Sequence, residues 1–135
     1  MIQHETQIRV RYAETDQMGI VYYGIFPQYF EVGRAELIRS LGLTYRDMEV
    51  MGILMPVTDL RVRYLRPAHY DEMLRVRTTI AELPTQRIGM DGEVFNEKGK
   101  LVVAGRVTLT FMSAKTRKTI PPPTDFMNIL KAHWE

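Results

Sequence analysis

Residues 13 to 26 read AETDQMGIVYYGIF and set one acid, Asp16, just ahead of a mostly apolar, aromatic run. A carboxylate can attack a carbonyl directly, or it can act as general base toward a water. The plain alternative is an aspartate that caps a helix or closes a turn. A capping residue stands immediately before the first helical turn. Here the helical period begins only at Phe26, with QMGIVYYG between, so the spacing argues against a cap. Two other acids lie close by. Glu14 is expected to face water, and Glu31, three residues before Arg34, to form an intrahelical ion pair.

Other chemistries find little support. There is no cysteine, which removes thiolate nucleophiles, thiolate metal sites and disulfides together. The two serines, Ser40 and Ser113, lie outside any G-x-S-x-G elbow. His4, His69 and His133 are scattered, without metal-ligand spacing. His69 reads as a solvated turn residue and His133 as part of a loose tail. The glycines are dispersed, so no phosphate loop is expected, and no metal or cofactor is implied. A formal net charge of +2 gives no bulk pull toward nucleic acid. The alternating arginines Arg61, Arg63, Arg75, Arg77 and Arg106 read as a solvated face or a subunit contact rather than a nucleic-acid surface. No apolar run approaches the ~20 residues of a membrane span, and the N-terminus alternates instead of forming a signal peptide. A soluble cytoplasmic protein with no membrane span is expected.

The elements that must position Asp16 follow from periodicity. TQIRVRY alternates as a half-buried strand, with Ile8, Val10 and Tyr12 on one side. Phe26, Phe30, Gly33, Leu37 and Leu41 then recur at helical spacing, with Pro27 tolerated in the first turn and Gly42 as a stop. Gly33 falls inside the apolar stripe, either to admit a sheet backbone or as a mere propensity defect. TYRDMEVMG reads as a short second helix. VTDLRVRYL, EMLRVRTTI, RIGMDGEVF and LVVAGRVTLTFM read as four strands, the last two joined by a turn at NEKGK. At 135 residues this is one domain, residues 1–135, of α+β class: one long helix against a five-stranded antiparallel sheet. One helix under one sheet leaves edges to cover, and a homodimer continuing the sheet across a two-fold axis is the economical solution.

The stretch RYAETDQMGIVYYGIFPQYFEVGRAELIRSLGL, followed by MPVTDLRVRYLRPAHYDEMLRV, resembles the hotdog-fold acyl-CoA thioesterases of the 4-hydroxybenzoyl-CoA thioesterase type, including the branch of bacterial Tol-Pal gene clusters. The resemblance runs from about Gln7 to Pro122 and rests on Y-x-x-x-D-x-x-G-x-V-[YWH] leading into Y-F-E. It implies a hotdog fold, hydrolysis of an acyl-CoA or aryl-CoA thioester, no cofactor, and a homodimer or homotetramer. It places the catalytic carboxylate on Asp16 and the oxyanion-binding backbone N–H on Tyr23, at the start of the central helix. Elementary physics agrees, because a helix N-terminus presents unpaired N–H groups and a positive dipole end to a developing oxyanion. Many members of the Tol-Pal branch carry His where this chain has Tyr23.

Met18, Tyr22 and Phe26 are candidates for the acyl pocket, with core packing as the alternative, and Tyr12 matches the motif upstream of the acid. The resemblance also implies basic residues before the fourth strand that grip CoA phosphates. Here that stretch is ELPTQR, leaving Arg87, with Lys115, Arg117 and Lys118 either assisting or forming an exposed loop. Two other functions stay open. A hotdog dehydratase would need a histidine near Asp16, and none is present in this stretch. A non-catalytic acyl-thioester binder would bind without turnover.

Overall fold

The computed structural model describes all residues, 1–135. Its sheet is built from β1 (Ile2–Arg9), β3 (Val57–Tyr64), β4 (Met73–Ile80), β5 (Arg87–Phe95) and β6 (Leu101–Thr110), all antiparallel, in the order β1-β4-β5-β6-β3. Against it lies α1 (Phe26–Ser40), followed by the short α2 (Tyr45–Val50). A two-stranded ribbon of β2 (Ile53–Leu54) and β7 (Met112–Ser113), and a terminal helix α3 (Thr124–Ala132), complete the chain. This is the hotdog arrangement that the resemblance implies.

The helical stripe packs as its spacing predicts. Phe26, Phe30, Gly33, Leu37 and Leu41 are all buried, and they join Leu74, Val76, Ile80, Val94, Val103 and Val107 in one continuous core. Gly33 is there for close approach: a Cβ at that position would stand 2.9 Å from a Val76 methyl and closer still to the Thr78 hydroxyl. Phe30 lies over Gly92 and Gly105, whose missing side chains make room for its ring. On the opposite face of the sheet the arginines are paired with acids: Arg75 with Glu5, Arg77 with Glu93, and Arg106 with Asp91.

Four expectations are corrected. His133 caps a terminal helix of residues 124–132 instead of lying in a loose tail, because Phe126 and Leu130, one turn apart, are fully buried. Tyr12 is no strand residue: β1 ends at Arg9, and Tyr12 begins a 3-10 turn with 77% of its surface exposed. Glu14 does not face water, being 7% exposed. Glu31 and Arg34 do not pair; the i,i+3 ion pair of α1 joins Glu36 to Arg39. The two edges of the sheet also differ. α1 covers β1, β4 and β5, while β3 is left largely exposed along its length.

Candidate active site

The hairpin that carries Asp16 is built by its own backbone. Thr15 and Val21 form an antiparallel bridge, and the Asp16 N–H donates to the Ile20 carbonyl at 2.9 Å. Gly19 closes the turn at φ +77°, a left-handed conformation that glycine adopts without strain. Its N–H donates to the Asp16 carbonyl at 3.0 Å. The Met18 N–H donates to Asp16 Oδ1 at 2.8 Å. Asp16 is therefore a turn aspartate by one oxygen, and the same bond fixes its carboxylate. Oδ2 makes no hydrogen bond within the chain, and the residue is half-buried.

Seven residues later the backbone turns into the helix through a 3-10 turn at Tyr23–Ile25, with Tyr22 before it and no side chain capping it. The N–H groups that open such a turn have no carbonyl behind them to bond. Tyr23 is the first of these. Its direction is set by its own peptide, since the Tyr22 carbonyl accepts from the Ile25 N–H at 2.9 Å and a trans peptide points its N–H the opposite way. Tyr64 fixes the next peptide, its hydroxyl donating to the Tyr23 carbonyl at 2.9 Å.

Carboxylate and first turn open on one cleft of about 430 Å³, lined by Asp16, Met18, Ile20, Val21, Tyr23 and Phe26 and, from the end of β3 and the loop after it, by Tyr64 to Ala68. Its walls are mostly apolar. Phe26 and Tyr23 both meet the Tyr64 ring edge-on, with centroids 5.9 and 6.4 Å apart. The hairpin is stitched to the same loop by the Val21 N–H, which donates to the Ala68 carbonyl at 2.8 Å, and by the bridge of Ile20 to His69. His69 itself is exposed and bonds Glu72.

Four of the seven residues singled out in the sequence thus share the cleft: Asp16, Met18, Tyr23 and Phe26. The others lie outside it. Tyr12 stacks edge-on with Tyr70 at 5.5 Å. Tyr22 lies against Tyr23, rings 4.4 Å apart, and that neighbour raises its phenol pKa above the ordinary value. Arg87 lines a separate, polar cavity of about 480 Å³ with Thr85, Gln86, Thr110, Thr119, Ile120 and Pro121. Arg87 pairs with Thr110 at the Val57 end of the neighbouring β3, whereas the cleft is at the Tyr64 end. Eight residues of strand separate the two ends by about 23 Å at ~3.3 Å per residue.

Sequence reasoning missed Tyr64, Leu65 and Arg66, which come from the end of β3 and the loop after it, more than forty residues further along the chain. It also missed the anchor beneath the hairpin. Glu14 accepts from the Tyr29 hydroxyl at 2.9 Å, from the Arg11 N–H at 2.8 Å and from the Arg11 guanidinium at 3.3 Å. Its own carbonyl takes the Tyr22 N–H at 2.9 Å. One buried acid thereby ties the base of the Asp16 hairpin to α1 and to the residue before Tyr23. Burial, then the bond to Glu14, pushes the Tyr29 phenol pKa well above its ordinary value, so Tyr29 stays a donor.

Known proteins resemble this chain in sequence and in fold. The model of the thioesterase-like superfamily matches residues 10–130. A Bacillus subtilis (strain 168) protein named "Putative acyl-CoA thioesterase YneP" is 43% identical over 97 residues, 72% of this chain and 70% of that one. The acyl-CoA thioester hydrolase YbgC of Escherichia coli O6:H1 is 30% identical over 103 residues, 71% of this chain and 77% of that one. Among solved structures, a DHNA-CoA thioesterase from Staphylococcus aureus superposes with a TM-score of 0.92 at 38% identity, covering 98% of this chain and 91% of the other.

Proposed function

The chain belongs to the thioesterase-like superfamily, and on that premise we propose that it hydrolyses an acyl-CoA or aryl-CoA thioester to the free acid and CoA. One observation carries this reading: a carboxylate with a free oxygen and an uncapped helical first turn face the same apolar cleft. The acyl group lies against Met18, Phe26 and Tyr64. Its carbonyl oxygen points at the Tyr23 N–H. As the carbonyl carbon becomes tetrahedral, negative charge gathers on that oxygen, where a fixed donor contributes about 3–4 kcal/mol of transition-state stabilisation. A backbone N–H does this whatever the side chain, so Tyr in place of His at position 23 leaves the donor intact.

Asp16 supplies the attack. By one route its carboxylate bonds to the carbonyl carbon, CoA leaves as thiolate and takes a proton, and water then splits the mixed anhydride. By the other it takes a proton from a water that attacks directly. A single turnover in ¹⁸O-water tests the first route, since label in the Asp16 carboxylate arises only by water opening an anhydride there; label confined to the product acid, together with no acyl-enzyme trapped by hydroxylamine, marks the base.

The working unit we propose is a homodimer paired through β3, whose exposed Val57, Leu60 and Tyr64 leave that edge unfinished. Antiparallel pairing about a two-fold axis lays the Val57 end of one β3 beside the Tyr64 end of the other. The partner's Arg87 is then carried toward the cleft, from which its own copy holds it at the opposite end of the sheet. That arrangement supports Arg87 as a phosphate contact for CoA, delivered from the second subunit, with Arg66 at the cleft as the local cation. Thiol release from a panel of aliphatic and aromatic acyl-CoAs, by wild type and Asp16→Asn in parallel, tests the proposal. Turnover that collapses in the variant supports it. Binding without turnover by the wild type would make the protein a carrier of acyl thioesters instead.

A further inference from the structure

The face of α1 that does not enter the core is not an ordinary solvated face. Between it and β3 runs a groove of about 300 Å³, lined by Pro27, Gln28, Glu31 and Arg34 from the helix and by Val57, Leu60 and Val107 from the sheet. Arg34 is only 8% exposed, and its Nε is sealed from solvent without a hydrogen-bond partner. The Tyr45 hydroxyl beside it is buried too, and burial raises its pKa against the pull of the Arg34 guanidinium, so it stays a neutral phenol and supplies no charge to balance the cation. An arginine so nearly buried, with one guanidinium nitrogen sealed and no carboxylate within ion-pair range, leaves its charge unmatched in the single chain. Three residues earlier on the same face, Glu31 is exposed and stands in no ion pair, since the pair formed within α1 is Glu36 with Arg39.

A buried cation without an anion and an exposed anion without a cation, one turn apart on one helix face, are self-complementary. Two such helices running antiparallel about a two-fold axis set Glu31 of each against Arg34 of the other. The dimer proposed above, on which this inference rests, has such an axis at the β3 edge, and the groove borders that edge through Val57 and Leu60. We infer that Glu31 and the partner's Arg34, and reciprocally Arg34 and the partner's Glu31, form two ion pairs that lock the α1 helices of two copies of this chain together. The occupant of the groove is therefore a second copy of the chain. The pairing also fixes α1, and with it the 3-10 turn leading into α1 that carries the Tyr23 N–H, relative to the other subunit.

Charge reversal tests this without relying on loss of function alone. Glu31→Arg and Arg34→Glu are prepared separately, one with a mass tag, and examined by sedimentation and native mass spectrometry alone and mixed. Each homodimer then sets like charges together, and its dissociation constant is expected to rise at least tenfold. The 1:1 mixture restores opposite charges at both contacts, so heterodimer is expected well above the statistical half, with thiol release recovering in the mixture. Should Arg34→Glu fail to fold, the exposed Glu31→Arg must still weaken its own dimer. Association indifferent to Glu31→Arg, or a mixture with no excess heterodimer, overturns the pairing while leaving the β3 dimer standing. Relief of Arg34 by an added small carboxylate, with association unchanged, also overturns it and gives the groove to a ligand. A wild type that is monomeric at micromolar concentration overturns the dimer itself.

Discussion

The base and the tip of the hairpin before α1 each carry an acid, two residues apart, in opposite circumstances. At the base Glu14 is 7% exposed and every bond it makes is structural: to Tyr29, to the Arg11 backbone and to the Arg11 side chain. At the tip Asp16 is half-buried, held by one backbone N–H through one oxygen, with the other oxygen free at a cleft. The same chemical group thus serves as an anchor where its bonding is complete and as a reagent where it is not. A buried carboxylate with both oxygens engaged has neither to offer a substrate, and a reagent needs a neighbour that holds it still.

Substitution should separate the two roles, and the largest effect belongs to the tip. Asp16→Asn keeps shape and the bond from Met18 but removes the nucleophile or base, so kcat should fall by about 10²–10⁴. Its melting temperature should barely move, as for a surface substitution within about 0.5 kcal/mol. The base should behave the other way round. Glu14→Ala strands the buried Tyr29 hydroxyl and the Arg11 N–H, and should cost about 1–3 kcal/mol of stability by denaturant titration. A several-fold loss of kcat with KM little changed should accompany it, and Glu14→Gln, which still accepts from Tyr29, should recover much of both. Equal kcat losses without any stability difference between Glu14→Ala and Asp16→Asn would break the distinction.

Smaller effects sharpen it. Tyr64→Phe removes the hydroxyl that fixes the peptide after Tyr23, and should lower kcat a few-fold in steady-state assays without disturbing the fold. Tyr29→Phe should lower stability at neutral pH, with the gap to wild type closing in alkali. The folded pKa of Tyr29 lies above the unfolded value near 10, so its contribution is complete below pH 10 and is lost as pH rises further toward the folded value. Stability of the wild type should therefore fall above pH ~10, and the fall should be shallower in Tyr29→Phe.

The sequence made the anchor's surroundings harder to read than the reagent. Asp16 stood out because it lies too far ahead of Phe26 to cap the helix, a matter of local spacing. Glu14 has no local signal, since its burial depends on Tyr29 arriving from the second turn of a helix fifteen residues on. The core stripe from Phe26 to Leu41 was legible for the same reason as Asp16, helical period being a property of neighbours in the chain. Its clearest detail, Gly33, needed the structure to show Val76 and Thr78 pressed against it. Strand alternation located β3 but not its exposure, which depends on where α1 lies across the sheet. The terminal helix is too short for a strong period: Phe126 and Leu130 are the only two of its residues that are buried, and what buries them lies elsewhere in the chain. Tyr64 and Arg66 join the cleft only through the pairing of β3 with β6, a relation no local pattern contains.

The central claim is that Asp16 and the Tyr23 N–H act on one thioester carbonyl, and a crystal structure of Asp16→Asn with an unhydrolysed acyl-CoA tests it most directly. The account predicts the carbonyl oxygen about 2.7–3.1 Å from the Tyr23 nitrogen, the carbonyl carbon facing the residue-16 side chain, and the acyl group along Met18, Phe26 and Tyr64. A thioester seated elsewhere, or one whose carbonyl turns away from the first turn of the helix, would contradict it.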